Sequence, residues 1–178
     1  MNNIPILFTL SGYETALIQP ENTSELQTLM EKCADYSLMV DGHPPDPSEA
    51  ARLLVDCPPG KTVADKLVIG FSNQNKGLIG VLDTVRDYPT ERDWWLGLLV
   101  LDPAYRNHGL GRQIVQAFES WVGQQGARRI FLGVVAENAK AYQFWLKLGF
   151  DVIERHQGRQ FGDLTHEVVI MVRNISEA

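Results

Sequence analysis

The chain has little cysteine, only Cys33 and Cys57 in 178 residues. Two thiols cannot build a disulfide framework, and neither stands in a metal-binding spacing. The four histidines, His43, His108, His156 and His166, are scattered, so no metal is expected. Positive charge is also short: 16 Lys and Arg stand against 22 Asp and Glu, a net charge of −6. A nucleic-acid partner would call for a basic face, so none is expected. No apolar run approaches the roughly 18 residues that span a membrane. The start, Met-Asn-Asn-Ile-Pro-Ile-Leu-Phe-Thr-Leu, lacks the basic segment and long apolar core of a secretion signal. There is no internal repeat, no low-complexity stretch and no linker. These absences lead us to expect a single domain over residues 1–178, cytoplasmic and without a membrane partner.

What is present suits a globular fold. Apolar residues make up 44% of the chain, and its length is enough for one full core. Strand-like runs fall at Ile4–Leu10 and Thr15–Ile18. Asn22 with Glu25 resembles a capping box and opens a helix over 23–34. Asp41–Pro45 reads as loop. Asp46-Pro47-Ser48-Glu49 reads as N-cap, Pro at N1 and Glu at N3 of a second helix, ending before Cys57. Leu67–Phe71 and Leu78–Val85 read as a hairpin around the polar turn 73–77, and Trp94–Leu101 as a third strand. Leu110, Ile114, Phe118, Trp121 and Val122 mark one face of a helix that stops near Gly123–Gly126. Ile130–Val135 is a buried strand and 138–148 a last helix. Val152–Arg155 and Val168–Val172 close the series around a polar turn at 157–163. The order predicts an α/β (α+β) domain, a mixed and largely antiparallel sheet flanked by helices.

The most informative segment is Leu99-Val-Leu-Asp-Pro-Ala-Tyr-Arg106-Asn-His-Gly109-Leu-Gly111-Arg112. An apolar strand runs through a Pro-containing loop into R-x-x-G-x-G and then a helix. Glycines let the main chain approach a ligand closely, and a helix start adds unpaired N–H donors and partial positive charge. The expected ligand is phosphorylated. The dinucleotide fingerprint fails, because its third glycine is Ile114. The nucleoside-triphosphate loop fails, because Gly111 is followed by Arg112-Gln113. A second motif lies downstream: Asn138-x-x-Ala141-x-x-Phe144-Trp145-x-x-Leu148-Gly149-Phe150. Asn138 suits an N-cap and Gly149 a left-handed C′ residue.

Together these motifs, spanning residues 92–151, resemble the GNAT (GCN5-related N-acetyltransferase) superfamily. The resemblance implies acetyl-CoA as acyl donor, and acetyl transfer to a primary amine by direct attack in a ternary complex. It implies that backbone near Leu99, Val100 and Leu101 binds pantetheine and polarises the thioester. Arg106, Asn107, His108, Gly109, Leu110, Gly111 and Arg112 would wrap the pyrophosphate, mostly through the backbone. Asn138 would reach the pantetheine arm, with Trp145 beside it on the cofactor site. Asp35, Tyr36 and the loop Asp41–Pro45 would meet the acceptor, a small-molecule or peptide amine. A homodimer through exposed strand edges is compatible with such a fold.

The chain departs from the family where protons move. Trp145 stands where many members carry a Tyr as general acid; Tyr142, one turn earlier, is the substitute candidate. The strand before the loop carries no Glu. Asp93 at its start and Asp83 on the preceding strand are the alternatives. Asp83 lies in the otherwise buried run Val81–Val85, so it needs a partner: a reacting group as general base, or an ion pair with Arg86 or Arg92. Trp94 and Trp95 face opposite ways. Trp94 is assigned to the acceptor pocket. The missing Tyr and Glu leave a second reading open, a non-catalytic acyl-CoA-binding domain.

Overall fold

The computed structural model describes residues 7–75 and 77–175. The elements in chain order are β1 (Glu14–Leu17), α1 (Thr23–Lys32), α2 (Ala34–Val40), α3 (Glu49–Val55), β2 (Lys66–Ser72), β3 (Leu78–Arg86), β4 (Asp93–Leu101), α4 (Leu110–Gln124), β5 (Arg129–Val135), α5 (Ala139–Lys147), β6 (Asp151–Phe161) and β7 (Leu164–Asn174). Seven strands form one sheet in the order β1-β2-β3-β4-β5-β7-β6. Among the described strands only β4 and β5 pair in parallel; the other neighbours are antiparallel. The parallel pair is forced by α4, which carries the chain back before β5 begins.

Helices cover both faces of the sheet. On one face Leu26, Leu29, Met30 and Ala50 of α1 and α3 pack with Val68, Val81 and Val100. On the other, α4 sets Ile114, Phe118 and Trp121 against Ile69, Leu82, Trp94 and Leu96. The two faces meet at an irregularity in β4. Thr84 pairs with Leu96 and Asp83 with Leu98, so Gly97 is an extra residue, a β-bulge. One inserted residue flips every side chain beyond it. Trp94 and Leu96 therefore face α4, while Leu98 and Val100 face α1.

Four local expectations are revised. Of the strand expected over Ile4–Leu10, residues 4–6 lie outside the described residues, and Leu10 makes only an isolated bridge to Tyr13. The helix expected over 23–34 breaks at Cys33, and a separate α2 follows. The second helix starts later than expected, with Ser48 as N-cap. Asp46 instead accepts from the Ser48 amide (2.8 Å) and hydroxyl (2.6 Å) in a turn that consumes its capping oxygen. The polar stretch 157–163 is mostly strand, and the β6–β7 turn narrows to residues 162–163. Cross-strand bonding there overrides a turn-like composition.

Candidate acyl-transfer site

The glycine-bearing loop before α4 has the backbone its sequence suggests. Asp102 caps a short turn by accepting from the Ala104 amide (2.9 Å). Asn107 and Gly109 take positive φ, 65° and 84°. Gly109 is the N-cap of α4, and a Cβ placed there would meet open space. The α4 ladder begins with Gln113 N–H on Gly109 O (3.1 Å). The N–H groups of residues 109–112 are therefore left without intrahelical partners, at the positive end of a 15-residue dipole. Asn107, His108, Gly109 and Arg112 are exposed or half-buried beside them. This set of donors suits a pyrophosphate.

A cleft opens next to the loop. β4 and β5 pair only from Asp93↔Arg129 to Leu96↔Leu132 and then separate. Beyond that point lies a cavity of about 330 Å³, lined by Leu96–Leu99, Leu132–Val135, Trp95, Asn138, Phe144 and Trp145. Asn138 caps α5 by accepting from the Ala141 amide (3.1 Å). The helix ends at Gly149 (φ 82°), with Phe150 N–H on Trp145 O (3.1 Å) and Gly149 N–H on Leu146 O (2.9 Å). That Schellman closure fixes the wall carrying Phe144 and Trp145.

A second cavity, about 360 Å³, lies on the other side of the bulge, between α1, α2, α3 and the sheet. Tyr36, Val40, Gly97, Leu98 and Phe161 line both cavities, so the two meet at Gly97. Asp83 sits at this junction. A Cβ on Gly97 would lie 2.6 Å from Asp83 Oδ2, so only glycine lets the carboxylate in. Lys66 Nζ stands 2.6 Å from Asp83 Oδ1, with side-chain exposures of 4% and 9%. Burial pushes the Asp83 carboxyl up from the ordinary range, and Lys66 opposes that shift. Burial, with Asp41 and Glu49 nearby, pushes the Tyr36 phenol up to about 12.

Comparison with known proteins agrees with this geometry. The sequence profile described as the Acetyltransferase (GNAT) family matches residues 27–150. The chain belongs to this family.

Among its relatives is the uncharacterized N-acetyltransferase YobR of Bacillus subtilis, 28% identical over 128 residues, which covers 70% of this chain and 47% of that protein. Mycothiol acetyltransferase of Corynebacterium efficiens is 45% identical over 56 residues, 32% of this chain and 19% of that protein. The chain thus spans about half the length of the first relative and a fifth of the second. An acetyltransferase from Thermus thermophilus shares the fold at TM-score 0.73 and 24% identity, over 94% of this chain and 99% of that one. Spermidine N-acetyltransferase from Vibrio cholerae, solved with CoA and spermine, does so at TM-score 0.72 and 15% identity, over 94% and 98%.

On this GNAT frame the residues expected at the site divide. Leu99, Asn138 and Trp145 line the cleft, Tyr36 lines both cavities, and Val100 and Asp83 line the second. Leu101 packs beneath the loop, and Gly111 faces α5, where a Cβ would make ordinary contact with Phe144 at 3.4 Å. Arg106 is committed elsewhere. Its guanidinium forms a bidentate pair with Asp35, and its Nε donates to Leu101 O (2.7 Å). Arg106 therefore braces the loop against α2, where it was expected to wrap a phosphate. Asp35 is correspondingly the brace's other half; Arg106 holds its carboxyl below the usual range, and it lines neither cavity.

Four further expectations are corrected. Trp94 lies in the core against Phe118 and Trp121, and Trp95 lines the cleft instead. Tyr142 lies outside the cleft, where its hydroxyl accepts from Arg155 (3.5 Å); the i, i+3 offset turned it onto the β6–β7 side. Asp93 is saturated by Arg129 (2.8 Å from each of two nitrogens) and Thr90. Its burial raises the carboxyl, but these donors outweigh that and hold it below the usual range. The partner of Asp83 is Lys66, not Arg86 or Arg92. Sequence reading missed Lys66, Gly97 and Phe161. A lysine opening an apolar strand and a glycine inside one were the available signals for the first two. Phe161 was hidden in a stretch read as turn.

Proposed function

We propose that this protein transfers an acetyl group from acetyl-CoA to a primary amine, by direct attack within a ternary complex. The observation that carries the reading is the meeting of the two cavities at Gly97, with the buried Asp83–Lys66 pair beside it. Acetyl-CoA supplies an acyl group activated as a thioester. The α4 N-terminus offers it backbone donors for the pyrophosphate, and the separated β4 and β5 offer an apolar channel for the arm. Main chain of β4 beyond Leu96, released from β5, offers N–H groups to the thioester carbonyl as negative charge develops there. Asp83 accepts a proton from the amine, directly or through a water. A lysine-like amine is mostly protonated near pH 7, so this step is needed. The new C–N bond forms as the C–S bond breaks, and the departing sulfur takes its proton from water. Among the described residues that line the cleft, only Tyr36 carries an ionisable side chain, and burial pushes its phenol up to about 12, too weak an acid for this role.

The test is release of free thiol from acetyl-CoA across a panel of primary amines, run beside a thermal-shift titration with CoA. Release with at least one amine supports the reading. Binding without release by any amine replaces it with an acyl-CoA-binding domain, and absence of binding overturns both.

A further inference from the structure

Of the four histidines only His166 is buried, and its ring lies between two acceptors. Nε2 is 2.8 Å from the Val40 carbonyl oxygen, and Nδ1 is 3.0 Å from Oε2 of Glu137. A carbonyl and an ionised carboxylate donate nothing. A neutral imidazole carries one N–H, so it satisfies one acceptor and turns a lone pair toward the other. Only the imidazolium donates to both. A hydrogen bond from its own backbone, followed by the one from His166, holds the Glu137 carboxyl below its ordinary range, so this acceptor stays ionised.

The two contacts join three elements around the cavities. Val40 ends α2 and lines both cavities. Glu137 directly precedes Asn138, which lines the cleft. His166 itself stands on β7 near the hairpin tip, its ring 6.1 Å from that of Phe161, which also lines both cavities. The tip meets α2 once more through Asp163 N–H on Asp41 O (2.8 Å). We propose that His166 is a positioning residue: its second proton ties α2, the β5–α5 loop and the β6–β7 tip into one wall, and loss of that proton as pH rises loosens the wall. The tie stands apart from the acetyltransferase reading; its effect on amine turnover rests on that reading. The charged groups around the ring are few. Glu137 faces it from the loop. From α2 comes the Val40 carbonyl, with the Asp41 carboxylate next in the chain. From β6, Arg159 is its exposed register partner. On β7 the neighbouring Glu167 is paired with Arg155 (3.3 Å).

The experiment measures amide-exchange protection at residues 159–163 of the full chain, corrected for the intrinsic pH dependence of exchange. It is run at about pH 5.5 and about pH 8.5, on either side of the range in which an imidazole changes charge. In wild type the Asp163 amide should lose about tenfold or more of its protection at the higher pH, the scale of one lost hydrogen bond to a charged partner. Glu137→Gln should remove most of that dependence, because a carboxamide oxygen accepts from a protonated Nδ1 and its NH₂ donates to an unprotonated one. The Glu137 side chain is 54% exposed, so this variant leaves the buried packing untouched, and circular dichroism checks its fold. An amine turned over in the thiol-release panel gives the second readout. The wild-type to Glu137→Gln ratio of amine KM should rise between the two pH values, with the kcat ratio nearly constant. Equal wild-type protection at both pH values, or a Glu137→Gln variant that keeps the full pH dependence, overturns the tie. A pH-dependent tie with an unmoved KM ratio overturns its effect on the acceptor. Turnover of no amine overturns the transferase reading, and exchange alone then decides the tie.

Discussion

Lys66 and Asp83 form one buried ion pair, and the proposed mechanism draws on it. Removing one partner of such a pair strands the other charge away from water. Asp83→Asn should lower kcat/KM by about 10²–10³-fold, within the range of lost general-base catalysis, while CoA affinity stays nearly unchanged. Steady-state kinetics and a CoA titration check this. Lys66→Met makes a sharper prediction through pH. Lys66 opposes the upward shift that burial imposes on Asp83. Without it the carboxyl moves further up, so the acidic limb of the kcat/KM profile should move to higher pH. An unmoved limb in a folded Lys66→Met variant would mean that Asp83 is not the group titrating.

At the scale of elements, the site depends on where strands part and where helices begin. β4 and β5 are pinned at one end by Asp93 and Arg129 and released at the other. Arg129→Met leaves a carboxylate that is 2% exposed with only Thr90 as a side-chain donor. About 1–3 kcal/mol of stability should be lost, read as a lower midpoint in urea. The start of α4 is packed on α5 through Gly111. Gly111→Leu should push Phe144 into the cleft and cost about 1–3 kcal/mol by overpacking. It should weaken CoA binding through the displaced wall, and CoA affinity equal to wild type in a folded variant would contradict this. The β6–β7 hairpin is fastened by His166. Its Nδ1 lies 3.0 Å from Glu137 and its Nε2 2.8 Å from the Val40 carbonyl, bridging α2 and the β5–α5 loop. Through that bridge Phe161 is held over both cavities. His166→Ala should speed amide exchange at residues 158–164.

For the whole molecule, ligand and pH set the observed stability. Acetyl-CoA at 100 times its dissociation constant should add about 2.7 kcal/mol. For a chain of this size that is a rise of roughly 5–10 °C in Tm. The acid limb of stability has a definite sign. Asp93 and Asp35 are held below their ordinary range in the folded state. Their contribution is therefore complete above about pH 4–5, where the unfolded carboxyls are ionised, and is lost as pH falls through the lower folded values. Asp35 contributes less, because its side chain is 60% exposed and screened by solvent. Asp93→Asn should flatten the fall in unfolding midpoint between about pH 5 and about pH 3. Asp83 acts oppositely: its raised carboxyl opposes folding where it is ionised, and protonation on lowering pH relieves that cost.

The turn into α4, the capped helix ending at Gly149, most of the element order and the family were legible in the residues alone, because each rests on chemistry local to a few positions. Turn glycines, an N-cap asparagine and helical spacing mean the same thing wherever the chain takes them. Which side chains share a cavity was settled by packing across the sheet. The bulge at Gly97 changes the face of every later residue in β4, and no spacing announces where it falls. Pairing of β2 with β3 then brings Lys66 to Asp83 across 17 residues of chain. Arg106 is a phosphate-loop residue in sequence and a brace in space, because α2 delivers Asp35 to it. Trp94 enters the core, Trp95 the cleft, and Tyr142 neither cavity, since a helix or strand shows its faces in sequence but not what stands opposite each one.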